Sequence, residues 1–228
     1  MIRLEKVCKA REGAEGEPPA LDRVSLTIER GEYAALLGPS GSGKTLLLNI
    51  LGILEAPTGG RYFLEDYDIT GLSDRERARI RNKRFGFVFR GFRLFPELSA
   101  MENVMLPMSY AGTPLRKRRE RAELLLADLG LASLARRFPA TLTGAERQRV
   151  AIARALANDP DVILADEPTG DLPSGKGGEI MDLLASLNSR GVTIVMATHE
   201  GELAKRAKRL IPMRDGRLEG GCRGSPDE

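Results

Sequence analysis

At 228 residues the chain can bury one substantial core with a smaller subdomain attached. Its 35 Lys and Arg against 32 Asp and Glu leave a formal charge of +3, too balanced to argue for nucleic acid as a partner. The longest apolar run, Leu46 to Leu54, is interrupted by Asn49 and Gly52 and is about half of what a bilayer crossing needs.

In chain order, Ile2 to Val7, Val24 to Ile28 and Tyr33 to Leu37 read as strands, the last apolar throughout and running straight into a glycine loop. A helix is expected from Lys44 to about Leu54, then a turn at Pro57 to Gly60 and a short strand around Tyr62. A charged helix over Asp74 to Lys83 and a strand over Phe85 to Phe89 follow. From Phe92 to Arg137 the pattern turns helical, with Leu115, Ala122, Leu125, Leu126 and Leu129 on one face and Arg116 to Arg119 on the other. Residues 91–160 are therefore expected to form an inserted helical subdomain within a single domain spanning 1–228. Strands Val162 to Ala165 and Thr193 to Ala197 are apolar throughout, as buried parallel strands are, with a helix over Gly178 to Asn188 between them. A hairpin around Asp215 and Gly216 closes the chain, and Glu12 to Pro19 and Gly220 to Glu228 read as loose ends. The N-terminus has no apolar signal core, and Cys8 and Cys222 stand far apart without metal-ligand spacing, so a cytoplasmic chain with two idle or buried thiols is expected.

Four elements carry chemistry. Gly38-Pro39-Ser40-Gly41-Ser42-Gly43-Lys44-Thr45 fits the phosphate-loop pattern GxxxxGK(S/T), with a strand before it and a helix after it. In that pattern backbone N–H groups cradle phosphates, the lysine supplies a point charge and the hydroxyl a Mg²⁺ ligand. Further on, the buried strand from Val162 ends in Asp166 and Glu167. A carboxylate there needs a cation, so Asp166 is expected on Mg²⁺ and Glu167 beside the attacking water. Between the two, Leu142-Thr143-Gly144-Ala145-Glu146 opens a helix whose first N–H groups could hold a phosphate. His199, the chain's one histidine, follows an apolar strand and falls on the ligand edge of an α/β sheet. Taken singly, each has a plainer reading: a glycine turn beside a surface lysine, two carboxylates capping a strand before Pro168, a structural histidine.

Together these residues resemble the ATP-binding cassette (ABC) ATPases over nearly the whole chain. Gly38 to Thr45 matches the Walker A loop, Val162 to Glu167 the Walker B strand and catalytic glutamate, Leu142 to Glu146 the signature, and Thr198-His199 the switch histidine. ERQRVAIARAL, LADEPTG, FPELSAMENV and MRDGRL resemble the subgroup of lipoprotein-releasing LolD, macrolide-exporting MacB and cell-division FtsE ATPases. The resemblance implies an α/β P-loop NTPase core with an N-terminal antiparallel β part. It implies ATP and Mg²⁺ as cofactors, with Glu167 and His199 catalytic and Thr45 and Asp166 on the metal. It also implies a head-to-tail dimer, with itself or another ABC ATPase, in which each ATP lies between one subunit's Walker A and the other's signature. A membrane-spanning permease would be received in a groove near Phe92, Leu94, Phe95, Pro96, Leu98 and Met101, seating the chain on the inner face of the cell membrane.

Six positions depart from the family pattern. Arg11 stands where an aromatic stacks on adenine, and Leu46 replaces a threonine of the phosphate loop. Arg90 replaces a glutamine that joins metal and water to the groove, and it has only donors. Thr143 keeps the hydroxyl of the usual serine, Ala145 adds a Cβ where glycine lets the backbone approach the γ-phosphate, and Pro173 replaces an interface aspartate. The expectation is a chain that binds ATP but turns it over slowly, with Arg90 reaching the γ-phosphate and weakening the demand for Mg²⁺, or one that pairs with a less altered ATPase. A nucleotide-gated clamp without useful hydrolysis is the alternative.

Overall fold

The computed structural model describes residues 1–11, 18–173 and 175–219, so most of the first expected loose end, all of the second, and Cys222 lie outside the described residues. Cys8 is half-buried and free.

Two sheets organise the chain. The first is antiparallel and four-stranded, in the order β2 (Leu21–Ile28), β1 (Ile2–Lys9), β4 (Gly59–Leu64), β5 (Tyr67–Asp68). The second is six-stranded, in the order β10 (Arg217–Leu218), β9 (Arg209–Arg214), β3 (Tyr33–Leu37), β8 (Thr193–Thr198), β7 (Val162–Asp166), β6 (Phe85–Val88). Only the β9–β10 hairpin is antiparallel in it.

The apolar runs of β3, β7 and β8 follow from burial on both faces. Ala34, Leu36, Val162, Leu164, Val195 and Ala197 point into one core, shared with α1 (Lys44–Leu51) and the antiparallel sheet. Their alternates Ala35, Ile163, Ala165, Ile194 and Met196 point into a second core, under α3 (Ala100–Tyr110), α4 (Leu115–Asp128), α5 (Gly144–Ala155) and α6 (Gly177–Ser189). The register sets Leu37 beside Thr198 and Asp166 beside Ala197, so the carboxyl ends of β3, β7 and β8 form one edge.

Several boundaries differ from the expected ones. Helix α1 stops at Leu51 because Ile53 turns left-handed at φ 59° with its N–H on Ile50 O at 3.0 Å, and Gly52 between them passes so close to Phe87 of β6 that an added Cβ would lie 2.4 Å from the ring. Residues 92–99 are a loop rather than helix, and α3 begins only after Ser99. Leu115 is 55% exposed at the first position of α4, whereas Ala122, Leu125, Leu126 and Leu129 are buried as expected. The charged α2 (Asp74–Arg84) has no buried residue and is held by its Ser73–Glu76 capping box. The remaining helix, α7 (Gly201–Ala204), is a single turn after His199. Residues 91–160 contain α3, α4 and α5 and no strand.

Candidate functional site

The glycine loop between β3 and α1 is shaped from below by the C-terminal hairpin. A Cβ on Gly38 would lie 2.1 Å from the Met213 carbonyl oxygen, and the Gly216 N–H donates to Ser42 O at 3.1 Å. Gly41 and Gly43 adopt φ of 82° and 97°, the left-handed turns that curl the loop over the end of α1. Lys44 is buried in this curl, its Nζ donating to the carbonyls of Gly38 and Pro39 at 2.8 Å each. Burial pushes its ammonium below the ordinary lysine value, against the pull of Glu167 and Asp166.

The next residue, Thr45, donates its hydroxyl to both carboxylate oxygens of Asp166 at 3.1 Å. Burial raises the Asp166 carboxyl above the ordinary aspartate range, and the Thr45 hydrogen bond opposes it. Glu167 turns the chain at φ 42°, its N–H on Ala197 O at 2.9 Å. Its Oε1 meets His199 Nδ1 at 2.8 Å and its Oε2 lies 2.9 Å from Arg90 Nη1. That second approach is an ion pair without hydrogen-bond alignment, so Oε2 is a buried acceptor with no hydrogen-bond donor. Thr45, Asp166, Glu167 and His199 thus converge at one sheet edge.

Arg90 also brings its Nε to 3.7 Å from Asp171 Oδ1. It precedes three consecutive left-handed residues, Gly91, Phe92 and Arg93, at φ 73°, 62° and 45°. The Arg154 guanidinium, on α5, holds this strained segment by donating to Phe92 O at 3.0 Å and Arg93 O at 2.5 Å. Burial lowers the Arg154 side chain to about 10.

The signature segment opens α5 through a capped turn. Thr143 caps α5: the Glu146 N–H meets its hydroxyl at 3.3 Å, and the Glu146 carboxylate accepts from the Thr143 N–H at 2.7 Å. Those contacts, the backbone one first, pull the Glu146 carboxyl below the ordinary glutamate value. Ala145, the second residue of α5, is 8% exposed in the single chain. A Cβ on Gly144 would meet Leu172, Pro173 and Phe92, and Arg147 stacks 5.0 Å over the Phe92 ring. Buried Gln148 donates to Pro168 O at 2.6 Å. Among the described residues no hydrogen bond or ion pair joins Thr143–Glu146 to Gly38–Thr45.

Arg11 is exposed, its Nε on Pro18 O at 3.2 Å. Leu46 is half-buried against the α1 core. Of the expected groove residues, Phe95 is 49% exposed and Pro96 exposed, while Phe92, Leu94, Leu98 and Met101 are half-buried. The loop that carries all of them but Met101, which lies in α3, wraps buried Asn103, whose Oδ1 accepts from Phe95 N at 2.8 Å and whose Nδ2 donates to Leu98 O at 2.9 Å. A cleft of about 1070 Å³ opens beside it, floored by Phe85, Phe87 and Phe89 and walled by α2, Tyr110 and Arg154. None of the six expected groove residues lines that cleft, because its lining is gathered from α2, β6, α3 and α5.

Sequence reading missed Arg154 and Gln148. The available signal was a cation and an amide on the otherwise apolar face of Val150 to Ala157 and the turn before it. It also missed that Thr143-x-x-Glu146 is a capping-box pattern.

The ABC transporter family model matches residues 21–170. The chain is 45% identical over 220 residues to the lipoprotein-releasing system ATP-binding protein LolD of Aquifex aeolicus, covering 96% of each. It is 47% identical over 218 residues to the macrolide export ATP-binding/permease protein MacB of Hyphomonas neptunium, covering 96% of this chain but 34% of that one. It thus spans about a third of the length of its MacB relatives. Among solved structures, the dimeric bacterial ABC transporter cassette MJ0796 matches with a TM-score of 0.88 at 43% identity, over 96% of this chain and 97% of that one. The same cassette in a post-hydrolysis state bound to ADP and Pi matches with a TM-score of 0.88 at 42% identity, with the same coverage. With the glycine cradle, the Asp166–Glu167 strand end and the Thr143 helix all inside the matched span, the chain belongs to the ABC transporter family.

Proposed function

We propose that this chain is the ATP-hydrolysing subunit of a membrane machine of the lipoprotein-releasing or macrolide-exporting kind, working by closure of two cassettes around ATP. The observation that carries the reading is the convergence of Thr45, Asp166, Glu167 and His199 on one sheet edge, next to Lys44.

The residues fit Mg²⁺ and nucleotide. A hydroxyl and a carboxylate already face each other at 3.1 Å, and Mg²⁺ prefers one or two protein oxygens with phosphate and water completing its shell. Among the described residues no cluster of three or more His, Cys, Asp or Glu competes for it. Once bound, Mg²⁺ would neutralise charge on the phosphates. Lys44, released from the loop carbonyls, would pair with a phosphate, and the N–H groups of Gly41 to Thr45 would cradle it. Glu167 would accept from the attacking water through Oε2, the oxygen that has no hydrogen-bond donor, while His199 holds Oε1. The N-terminus of α5, at Thr143, Gly144 and Ala145, would be offered to the nucleotide of a second cassette, of this chain or of another ABC ATPase. Glu146 supports that end through its cap.

The aromatic-floored cleft suits the permease, and the exposed Phe95 and Pro96 offer it a second, separate apolar contact. Arg75, Arg79 and Lys83 along its wall favour an acidic amphipathic segment. Among the described residues no helix is long and apolar enough to cross a membrane, so attachment to the inner face of the membrane would come through that partner.

The proposal is tested by Glu167→Gln. Turnover should fall by about a hundred-fold or more while ATP affinity stays within about three-fold. Unchanged turnover would remove Glu167 from the chemistry. The regulatory-clamp reading is favoured by one observation, the Arg90 guanidinium on Glu167.

A further inference from the structure

Both oxygens of Glu167 are engaged, Oε1 by His199 Nδ1 and Oε2 by Arg90 Nη1. A guanidinium offers only donors, so Arg90 can neither ligate Mg²⁺ nor take a proton from water. What it can do at this position is compete with water for Oε2. The Glu167 side chain is 13% exposed, so the pair is less screened than one at the surface, while Arg90 is 59% exposed and has room to swing. Its backbone is aimed by the left-handed segment that Arg154 holds, and Asp171, 3.7 Å from its Nε, offers a second carboxylate to which it could transfer.

We propose that Arg90 is a latch on the catalytic carboxylate: in the resting cassette its guanidinium occupies Glu167 Oε2 and holds turnover down, and hydrolysis proceeds when it moves off toward Asp171. The proposal rests on the reading of Glu167 as the residue that accepts from the attacking water. Arg90 is then a positioning residue, and its effect falls on the rate of turnover rather than on nucleotide binding.

The test uses the full chain with Arg90→Ala, Arg90→Lys, Glu167→Gln and the double variant Arg90→Ala/Glu167→Gln. At saturating Mg-ATP, Arg90→Ala should raise kcat by about three- to ten-fold with KM within about two-fold, and Arg90→Lys, which keeps a cation, should stay nearer the unsubstituted chain. Without nucleotide, Arg90→Ala should lower the urea midpoint when Glu167 is present and lower it by clearly less in the Glu167→Gln background, where only the Asp171 pair is lost. A kcat that is equal or lower in Arg90→Ala, or a midpoint shift of equal size in both backgrounds, would overturn the latch. If Glu167→Gln is inactive and Arg90→Ala is no faster, the latch alone fails. If Glu167→Gln hydrolyses ATP normally, the assignment of Glu167 fails and the latch with it.

Discussion

Asp166 illustrates how a site residue works against the fold that carries it. Its carboxyl lies above the ordinary aspartate value because burial disfavours the charge, with the Thr45 hydrogen bond only partly offsetting this. An acid whose folded value is raised costs stability where it is ionised, and the cost is relieved as pH falls through the raised value. Asp166→Asn should therefore raise the melting midpoint of the Mg²⁺-free protein at pH 7, with the gain shrinking on acidification. A midpoint that falls at pH 7 would show that the charge is already compensated. Lys44 obeys the same logic with the opposite sign of charge, its ammonium held by the carbonyls of Gly38 and Pro39. Lys44→Ala should weaken nucleotide binding by about ten-fold or more, measured with a fluorescent ATP analogue. The meeting of Thr45 with Asp166 beside Lys44 was legible because glycine spacing and a strand-terminal carboxylate are local patterns. The pairing of Arg90 with Glu167 was not, since it joins residues from different strands and depends on the turn taken by Gly91 to Arg93.

Among the elements, α5 does the most joining. Its first turn lies near Leu172 and Pro173 and stacks Arg147 on Phe92, Gln148 reaches Pro168, and Arg154 holds the segment after Arg90. Its C-terminus packs on β6 so closely that a Cβ on Gly86 would lie 2.3 Å from Ala155 O. Gly86→Ala should cost about 1–3 kcal/mol in denaturant unfolding, and a cost near zero would mean that α5 can shift freely away from the sheet. Three capping boxes, Ser73–Glu76, Ser99–Glu102 and Thr143–Glu146, begin α2, α3 and α5. In each, hydrogen bonds from the cap residue hold the glutamate below its ordinary value of 4.5. Their stabilisation is complete above that value and is lost as pH falls through the lower folded ones. Glu146→Gln should accordingly flatten the acid side of the stability curve, and an unchanged acid limb would show that the cap does not depend on charge. All three boxes are written in the sequence as Ser or Thr followed three residues later by Glu. The end of α1 at Gly52 and the exposure of Leu115 are not, because a left-handed Ile53, a conformation a β-branched residue rarely takes, ends the first and the extent of packing around α4 decides the second.

For the molecule as a whole, the two faces of the parallel sheet divide the work. One core carries the phosphate loop on α1, and the other carries the helices that bear Thr143 and Arg154. The antiparallel pairing of β1, β2 and β4 and the aromatic cleft were harder to read from sequence, since each collects residues from distant segments. In the single chain no hydrogen bond or ion pair among the described residues joins the Thr143–Glu146 helix end to the glycine loop, and the proposed dimer would supply that pairing from a second cassette. The most direct test of the central claim is the mass in solution of the Glu167→Gln chain, measured by light scattering with and without Mg-ATP. A chain that is monomeric alone and dimeric with Mg-ATP, returning to monomer when Thr143 and Gly144 are replaced by bulky residues, is the predicted result. A chain that stays monomeric at saturating Mg-ATP, alone and when mixed with a second ABC ATPase, would contradict it.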